Sequence, residues 1–529
     1  MRPHAGQGTD RGLADFPTPP GLAREICDVV AGLRPAPATL IEPTCGSGNL
    51  LAAALERFPT IRRVVAAEVN AAHVRRLRRR FPGLARDRRL RVLEGSFFSR
   101  DWEDALRGLP EPWLVLGNPP WATHSGLAAA GSRNLPRKRN VHGLRGYDAR
   151  TGKSNFDLAE PILLRLFERI RNRRGAIAIL CKTSAARRAL RAAWEAGGAP
   201  GRVELFRIDA RRCFGASVDA GLLLCRFPGR GRAAPRVRVH SRLERSAAFS
   251  ETWGMIGGRW VRRLDDYREL GGLARTAHPG HAAGARGGSP LWRSGIKHDC
   301  APVMELRAEG RFLRNGLGEI VDLEETYLYP MRKGSDLFRP EGTGTDRRML
   351  VPQRSLGEET ARIAAAAPRT WAYLQAHGDR LDRRSSSIYR NRPRFAIFGV
   401  GRYSFAPWKV AVSGFAKTLR FVVVGPSRRR PVVFDDTVYF LACRSREEAA
   451  ALARRLESPR ARRFLESMIF WESKRPVTKE ILDRLDPAGL DAPETPSDLR
   501  GVPVHASLLH SCPPPSKRGA PATLDSRRA

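Results

Sequence analysis

Short apolar runs recur along the first 230 positions, each followed by a polar turn and a stretch with helical spacing. Thr39-Leu40-Ile41, Arg63-Val64-Val65-Ala66-Ala67, Leu90-Arg91-Val92-Leu93, Trp113-Leu114-Val115-Leu116 and Gly175-Ala176-Ile177-Ala178-Ile179-Leu180 read as strands. They are apolar nearly throughout, as strands buried on both faces of a parallel sheet must be. Helical spacing follows in Leu51-Ala52-Ala53-Ala54-Leu55-Glu56 and again after Asp157-Leu158. This alternation predicts an α/β layer structure. Later segments, Leu419 to Val424 and Val438 to Ala442, are strand-like and alternate with helical patterns over Arg446 to Leu456 and Ala461 to Phe470. They predict a second, α+β unit.

Chemistry-bearing residues fall at the ends of these strands, where ligands bind in open α/β sheets. After the first strand comes Glu42-Pro43-Thr44-Cys45-Gly46-Ser47-Gly48-Asn49. Its Gly-x-Gly turn lets a ligand approach the backbone. The second strand ends in Glu68, twenty positions after Gly48, where a ribose hydroxyl would be gripped. The fourth ends in Gly117 and Asn118-Pro119-Pro120-Trp121. Two prolines without N–H groups fix the backbone there, so the Asn118 amide oxygen and a neighbouring carbonyl form an acceptor pair for an exocyclic –NH2. Trp121 offers a flat surface for a base.

In this order the motifs resemble the class I S-adenosylmethionine-dependent methyltransferases. More narrowly, the chain is similar to the gamma-class enzymes that modify N6 of adenine in DNA. The resemblance implies a Rossmann-like domain with a mostly parallel seven-stranded sheet over 12–227, followed by a C-terminal α+β target-recognition domain. Within it, Phe16, Thr18 and Pro19 match the Thr-Pro element at the methionine end of the cofactor. Glu42, Pro43, Thr44, Cys45, Gly46 and Gly48 match the cofactor loop, and Glu68 the ribose acid. Ser96 and Phe97 stand where the adenine of the cofactor is held, with Ser96 replacing the usual acid. Asn118, Pro119, Pro120 and Trp121 match the catalytic tetrapeptide, and Phe214 the aromatic that contacts the extruded base. Core packing is an equal reading of Phe214. Implied partners are double-stranded DNA and, in a restriction-modification setting, a separate restriction endonuclease. An RNA or protein-amide methyltransferase and a non-catalytic cofactor-sensing subunit remain alternatives.

Composition adds a polyanion preference. The chain has 529 residues, 93 of them Lys or Arg against 54 acids, for a formal charge of +39. Such a field favours nucleic acid through counterion release. Ten of those basic residues are lysines, a skew toward arginine that also suits a GC-rich coding bias. Candidate DNA contacts are Arg137, Lys138, Arg139 and Lys153 in the long connection after the tetrapeptide, and Tyr403 and Lys409 further on. Thr151-Gly152-Lys153-Ser154 lacks the strand and glycine of a phosphate loop. Eight cysteines without a Cys-x-x-Cys pair give no zinc pattern. Cys45 reads as a packed thiol. No signal-like or membrane-length apolar run is present, so a cytoplasmic, DNA-associated protein is expected. The remaining expectations are a flexible 1–11, a linker over 228–290, a recognition region over 291–486 and a disordered tail over 487–529.

Overall fold

A computed structural model describes residues 16–33, 36–98, 102–122, 157–197, 200–229, 234–244, 249–275, 291–310, 312–339 and 345–491. The candidates Arg137, Lys138, Arg139 and Lys153 lie outside the described residues, as does 1–11.

The first ten strands are β1 Thr39–Glu42, β2 Arg63–Glu68, β3 Leu90–Glu94, β4 Trp113–Gly117, β5 Arg174–Lys182, β6 Arg202–Ile208, β7 Ala220–Pro228, β8 Arg236–His240, β9 Phe249–Ile256 and β10 Arg259–Val261. They form one sheet in the order β10-β9-β8-β6-β7-β5-β4-β1-β2-β3. The expected count of seven is thus too low. Seven strands, from β6 to β3, make a unit in which β1, β2, β3, β4 and β5 run parallel and β7 lies antiparallel between β5 and β6. β8 then adds parallel to β6, and β9 and β10 follow antiparallel.

That extension falls in the segment expected to be a linker. Arg236-Val237-Arg238-Val239 alternates exposed and buried positions. This is the period of a half-buried strand, and the stretch is too short and too arginine-rich to stand out by hydrophobicity. Behind it the Trp253 ring is fully buried. Helices cover both faces, Pro20–Ala31 and Asn49–Arg57 packing one apolar layer and Ala159–Ile170 and Thr183–Glu195 the other.

Beyond residue 290 the strands are β11 Arg293–Ser294, β12 Glu305–Glu309, β13 Phe312–Asn315, β14 Ile320–Val321, β15 Leu328–Arg332, β16 Arg347–Leu350, β17 Trp408–Ser413, β18 Val422–Val424, β19 Val433–Phe434 and β20 Val438–Cys443. One sheet runs β11-β20-β17-β18 and the other β14-β13-β12-β16-β15-β19. The helices Arg446–Glu457 and Pro459–Glu466 pack on the first sheet. The module is α+β, as its alternating pattern predicts. It extends past 486 into a turn of 3-10 helix at Pro487–Asp491; the rest of the expected tail lies outside the described residues.

The two units share a charged seam. Arg463, 8 % exposed, donates to Asp266 at 2.8 Å and 3.0 Å and to Glu269 at 2.5 Å and 3.1 Å. Arg262 and Arg263 donate backbone N–H groups to Ser467 O at 2.7 Å and 2.9 Å. The short helix Leu264–Glu269 after β10 is thereby clamped to Pro459–Glu466. Arg463→Met should remove four charged hydrogen bonds and cost roughly 2 kcal/mol. Denaturant melts should show that loss as a lower midpoint, and an unchanged midpoint would mean that the clamp is not structural.

Candidate active site at the strand tips

The tips of β1, β2 and β4 lie side by side in the sheet and frame the candidate cleft. Glu68, at the end of β2, is 9 % exposed, and both of its oxygens accept from backbone. Gly46 N donates to Oε2 at 2.8 Å and Asn70 N to Oε1 at 2.8 Å. The carboxylate therefore staples the loop after β1 to the loop after β2. Each oxygen retains a second lone pair for an incoming hydroxyl.

The loop's two glycines do different work. Gly46 has φ +50°, and a Cβ there would meet nothing within 4 Å. Gly48 has φ +79°, and its Cβ would lie 2.4 Å from Leu77 Cδ1. Gly48 is thus required by the helix Ala71–Arg80 packed behind the loop, whereas Gly46 faces open space. Packing thus accounts for Gly48 without any ligand.

Glu42 is 2 % exposed with an unpartnered Oε2. Burial, followed by the charge of Glu68, holds its carboxyl well above the usual range. Pro43 packs beneath Gly117, its Cδ 3.3 Å from where a Cβ on that glycine would stand. Thr44 Oγ1 is also buried without a partner. The Cys45 thiol, 5 % exposed, is pushed up by burial and is packed. On the far side, Asn49 Nδ2 donates to Thr18 O at 2.8 Å, which ties the segment Phe16 to Pro19 to the loop.

Across the cleft, Asn118 Nδ2 donates to Phe16 O at 2.9 Å. Its Oδ1 is buried and has no partner among the described residues. Beside it the rings of Phe16, Trp121 and Phe214 form a triangle, with centroids 6.0 Å, 6.0 Å and 5.0 Å apart. Trp121 is only 5 % exposed, so it offers no open face. The expected stacking platform is closed by its aromatic neighbours. Phe214, half-buried, belongs to this cluster.

Two expectations move. The Phe97 ring is buried in the core against Trp102, centroids 5.1 Å apart, while Ser96 Oγ accepts from Phe98 N at 3.2 Å. Lys409 is 1 % exposed and cannot touch DNA. Its register on β17 turns it inward, where Nζ donates to Ala406 O at 2.6 Å and Val432 O at 2.8 Å. Burial pulls its ammonium down to about 7. Tyr403 is half-buried between Phe440 and the Arg293 guanidinium, which sits 4.6 Å over its ring.

Lys182, at the end of β5, was missed. It donates to Trp121 O at 2.6 Å and pairs with Asp157 Oδ2 at 2.8 Å. A lysine closing the apolar run Ile177 to Cys181 is the signal that could have found it. Lys182 also lines a cleft of about 600 Å³ with Thr183, Asp209, Ser217 and Glu472, between β5, β6 and the C-terminal module.

A search against family models matches none. A Type II methyltransferase of Nostoc sp., M.NspV, is 38 % identical over 483 residues, which cover 91 % of this chain and 98 % of that one. The Type IIL restriction-modification enzyme MmeI, solved in complex with DNA, aligns at TM-score 0.45 and 12 % identity, over 84 % of this chain and 61 % of that one. The type IIG restriction endonuclease BpuSI aligns at TM-score 0.34 and 15 % identity, over 90 % and 58 %. Both structural scores are too low to add to what the sequence relative establishes. The molecule is a methyltransferase of the restriction-modification type. It belongs to the Type II methyltransferase family.

Two measurements check the loop. Gly48→Ala should lower the melting temperature through its clash with Leu77, whereas Gly46→Ala should chiefly weaken cofactor binding in calorimetry; the reverse pattern would mean the roles are exchanged. Glu42 predicts a pH effect. Below the ordinary carboxyl value of 4.5 it is protonated folded and unfolded alike. As pH rises further, the unfolded chain ionises first and stability falls until the raised folded value is passed. Glu42→Gln should therefore melt higher than the parent, by a margin that widens as pH rises above 4.5. A constant margin would refute the assignment.

Proposed function

We propose that this methyltransferase moves a methyl group from S-adenosylmethionine to N6 of adenine in double-stranded DNA, as the modification half of a restriction-modification pair. One observation carries the reading. Asn118 donates from its amide to Phe16 O and leaves its oxygen buried, with no partner among the described residues, at a strand tip. A buried acceptor without a donor is costly unless a ligand supplies one. An exocyclic –NH2 fits, and the Pro119 carbonyl beside it can take the second N–H.

The cleft suits the cofactor as well. Gly46 leaves space against the backbone, Glu68 keeps lone pairs for ribose hydroxyls, and the buried Glu42 Oε2 and Thr44 Oγ1 have no partner among the described residues. These residues would hold S-adenosylmethionine, which supplies a methyl carbon on a sulfonium whose leaving group is neutral.

The chain's residues therefore need not protonate a leaving group. Their task is the nucleophile, because the lone pair of N6 is conjugated into the purine. Two acceptors on its hydrogens favour a tetrahedral nitrogen and aim that lone pair. N6 gains the methyl carbon and releases one proton to solvent. Lys182, held by Asp157, fixes the Trp121 carbonyl and hence the far end of the corner.

The target atom sits inside a duplex, so the base must be swung out. Two rings sandwiching a purine stand about 7 Å apart, twice a carbon contact distance. Trp121 and Phe214 meet edge to face with centroids 5.0 Å apart, so a base entering between them requires the rings both to separate and to turn. The +39 charge favours a polyanionic substrate over a protein amide.

Asn118→Ala should lower methyl transfer to duplex DNA by about 10²–10³-fold, as loss of an aimed polar group does elsewhere. Cofactor affinity by calorimetry should stay within a few-fold. Unchanged turnover would remove Asn118 from the chemistry. Transfer by the parent chain to RNA alone, or to no duplex at all, would sink the DNA assignment.

A further inference from the structure

Ser427-Arg428-Arg429-Arg430 forms a two-residue turn in the connection from β18 to β19, its ends joined by an isolated antiparallel bridge between Ser427 and Arg430. Arg430 N donates to Ser427 O at 2.9 Å and Ser427 N to Arg430 O at 2.8 Å. The two central residues have φ +49° and +63°. Turns of that kind are ordinarily Asn-Gly, because a Cβ is strained in the left-handed region at both positions. Here both are arginines. A coding bias can scatter arginine over a surface, but it gives no reason to keep two of them where strain opposes them. Strained backbone held in place marks functional sites.

The base of the turn is held by Arg430. Arg430 donates to Glu325 O, and to Thr326 O at 3.3 Å, with its guanidinium 4.8 Å over the Tyr329 ring. Its tip is free. Arg428 and Arg429 are exposed, and among the described residues no hydrogen bond or ion pair holds either guanidinium. Nearby Arg348 is lowered from its usual value, first by burial and then by the positive field of Arg428. Glu325 and Asp346 oppose that field, and Glu325 is engaged by Arg430, so the exposed charge at the turn's tip is that of Arg428 and Arg429.

We propose that the Arg428–Arg429 tip is a docking point of the C-terminal module on duplex DNA, its guanidinium groups resting on phosphates or guanine edges. The inference rests on the DNA reading above. A turn held at its base means that little order has to be gained on binding.

The test uses the full chain and a labelled mixed-sequence duplex titrated over a salt series. R428N/R429G places the preferred residues in the turn while removing both charges. It should melt at or above the parent temperature and bind S-adenosylmethionine as before. Duplex affinity should fall about tenfold, and the slope of log K against log salt should become shallower by about 1.8, twice the increment per phosphate. R428K/R429K separates the two contacts: recovered affinity assigns phosphates, and persistent weakness assigns guanine edges. Parent-like affinity and slope in R428N/R429G, with the parent still methylating DNA, would overturn the turn's role alone. A parent chain that neither binds nor methylates any duplex would overturn the DNA reading and this proposal with it.

Discussion

The hydrogen bond from Asn118 Nδ2 to Phe16 O spans 102 positions, and the site is organised around it. It fixes which end of the amide faces the cavity. Were the donor free to turn inward, the cleft would present an N–H to an incoming amine, and two donors would repel. With the donor engaged, the oxygen is the end that remains. The same bond draws the segment before the helix Pro20–Ala31 over the corner, and Asn49 secures that segment from the other side. The polarity of the cleft is thus set by contacts between the first residues described and the fourth strand.

Around that corner, burial decides what each charged group does. Glu68 accepts backbone N–H groups from two loops. Glu42, buried and beside a carboxylate, is drawn toward its protonated form. Lys182 is a third case. Its ammonium is balanced by Asp157 and used to hold a carbonyl, a positioning duty that needs a fixed charge at a strand end. Lys409 shows the same residue type with no acid partner; bonded only to carbonyls, it is drawn toward neutrality.

The second module is joined to the first through a sheet extension and not through a loose tether. β8, β9 and β10 lengthen the catalytic sheet, and the following helix is clamped by Arg463. Glu472 and Ser473 then line the cleft beside Lys182.

The early strands, their order of appearance, the glycine loop, Glu68 and the Asn-Pro-Pro-Trp corner were all readable along the chain, because each depends on local period or on turn chemistry that only certain residues satisfy. Other features were not. The alternation of Arg236 to Val239 is too brief to outweigh its charge, so the sheet's extra strands emerged only from their partners. Whether Gly48 serves a ligand or a helix depends on Leu77, which packs from another element. The inward turn of Lys409, the closed triangle around Trp121 and the reach of Lys182 to Trp121 follow from register and packing between segments far apart in sequence. Local pattern fixes which chemistry is available; the direction in which each group faces, and what is left for it to bind, is settled only when the strands are side by side.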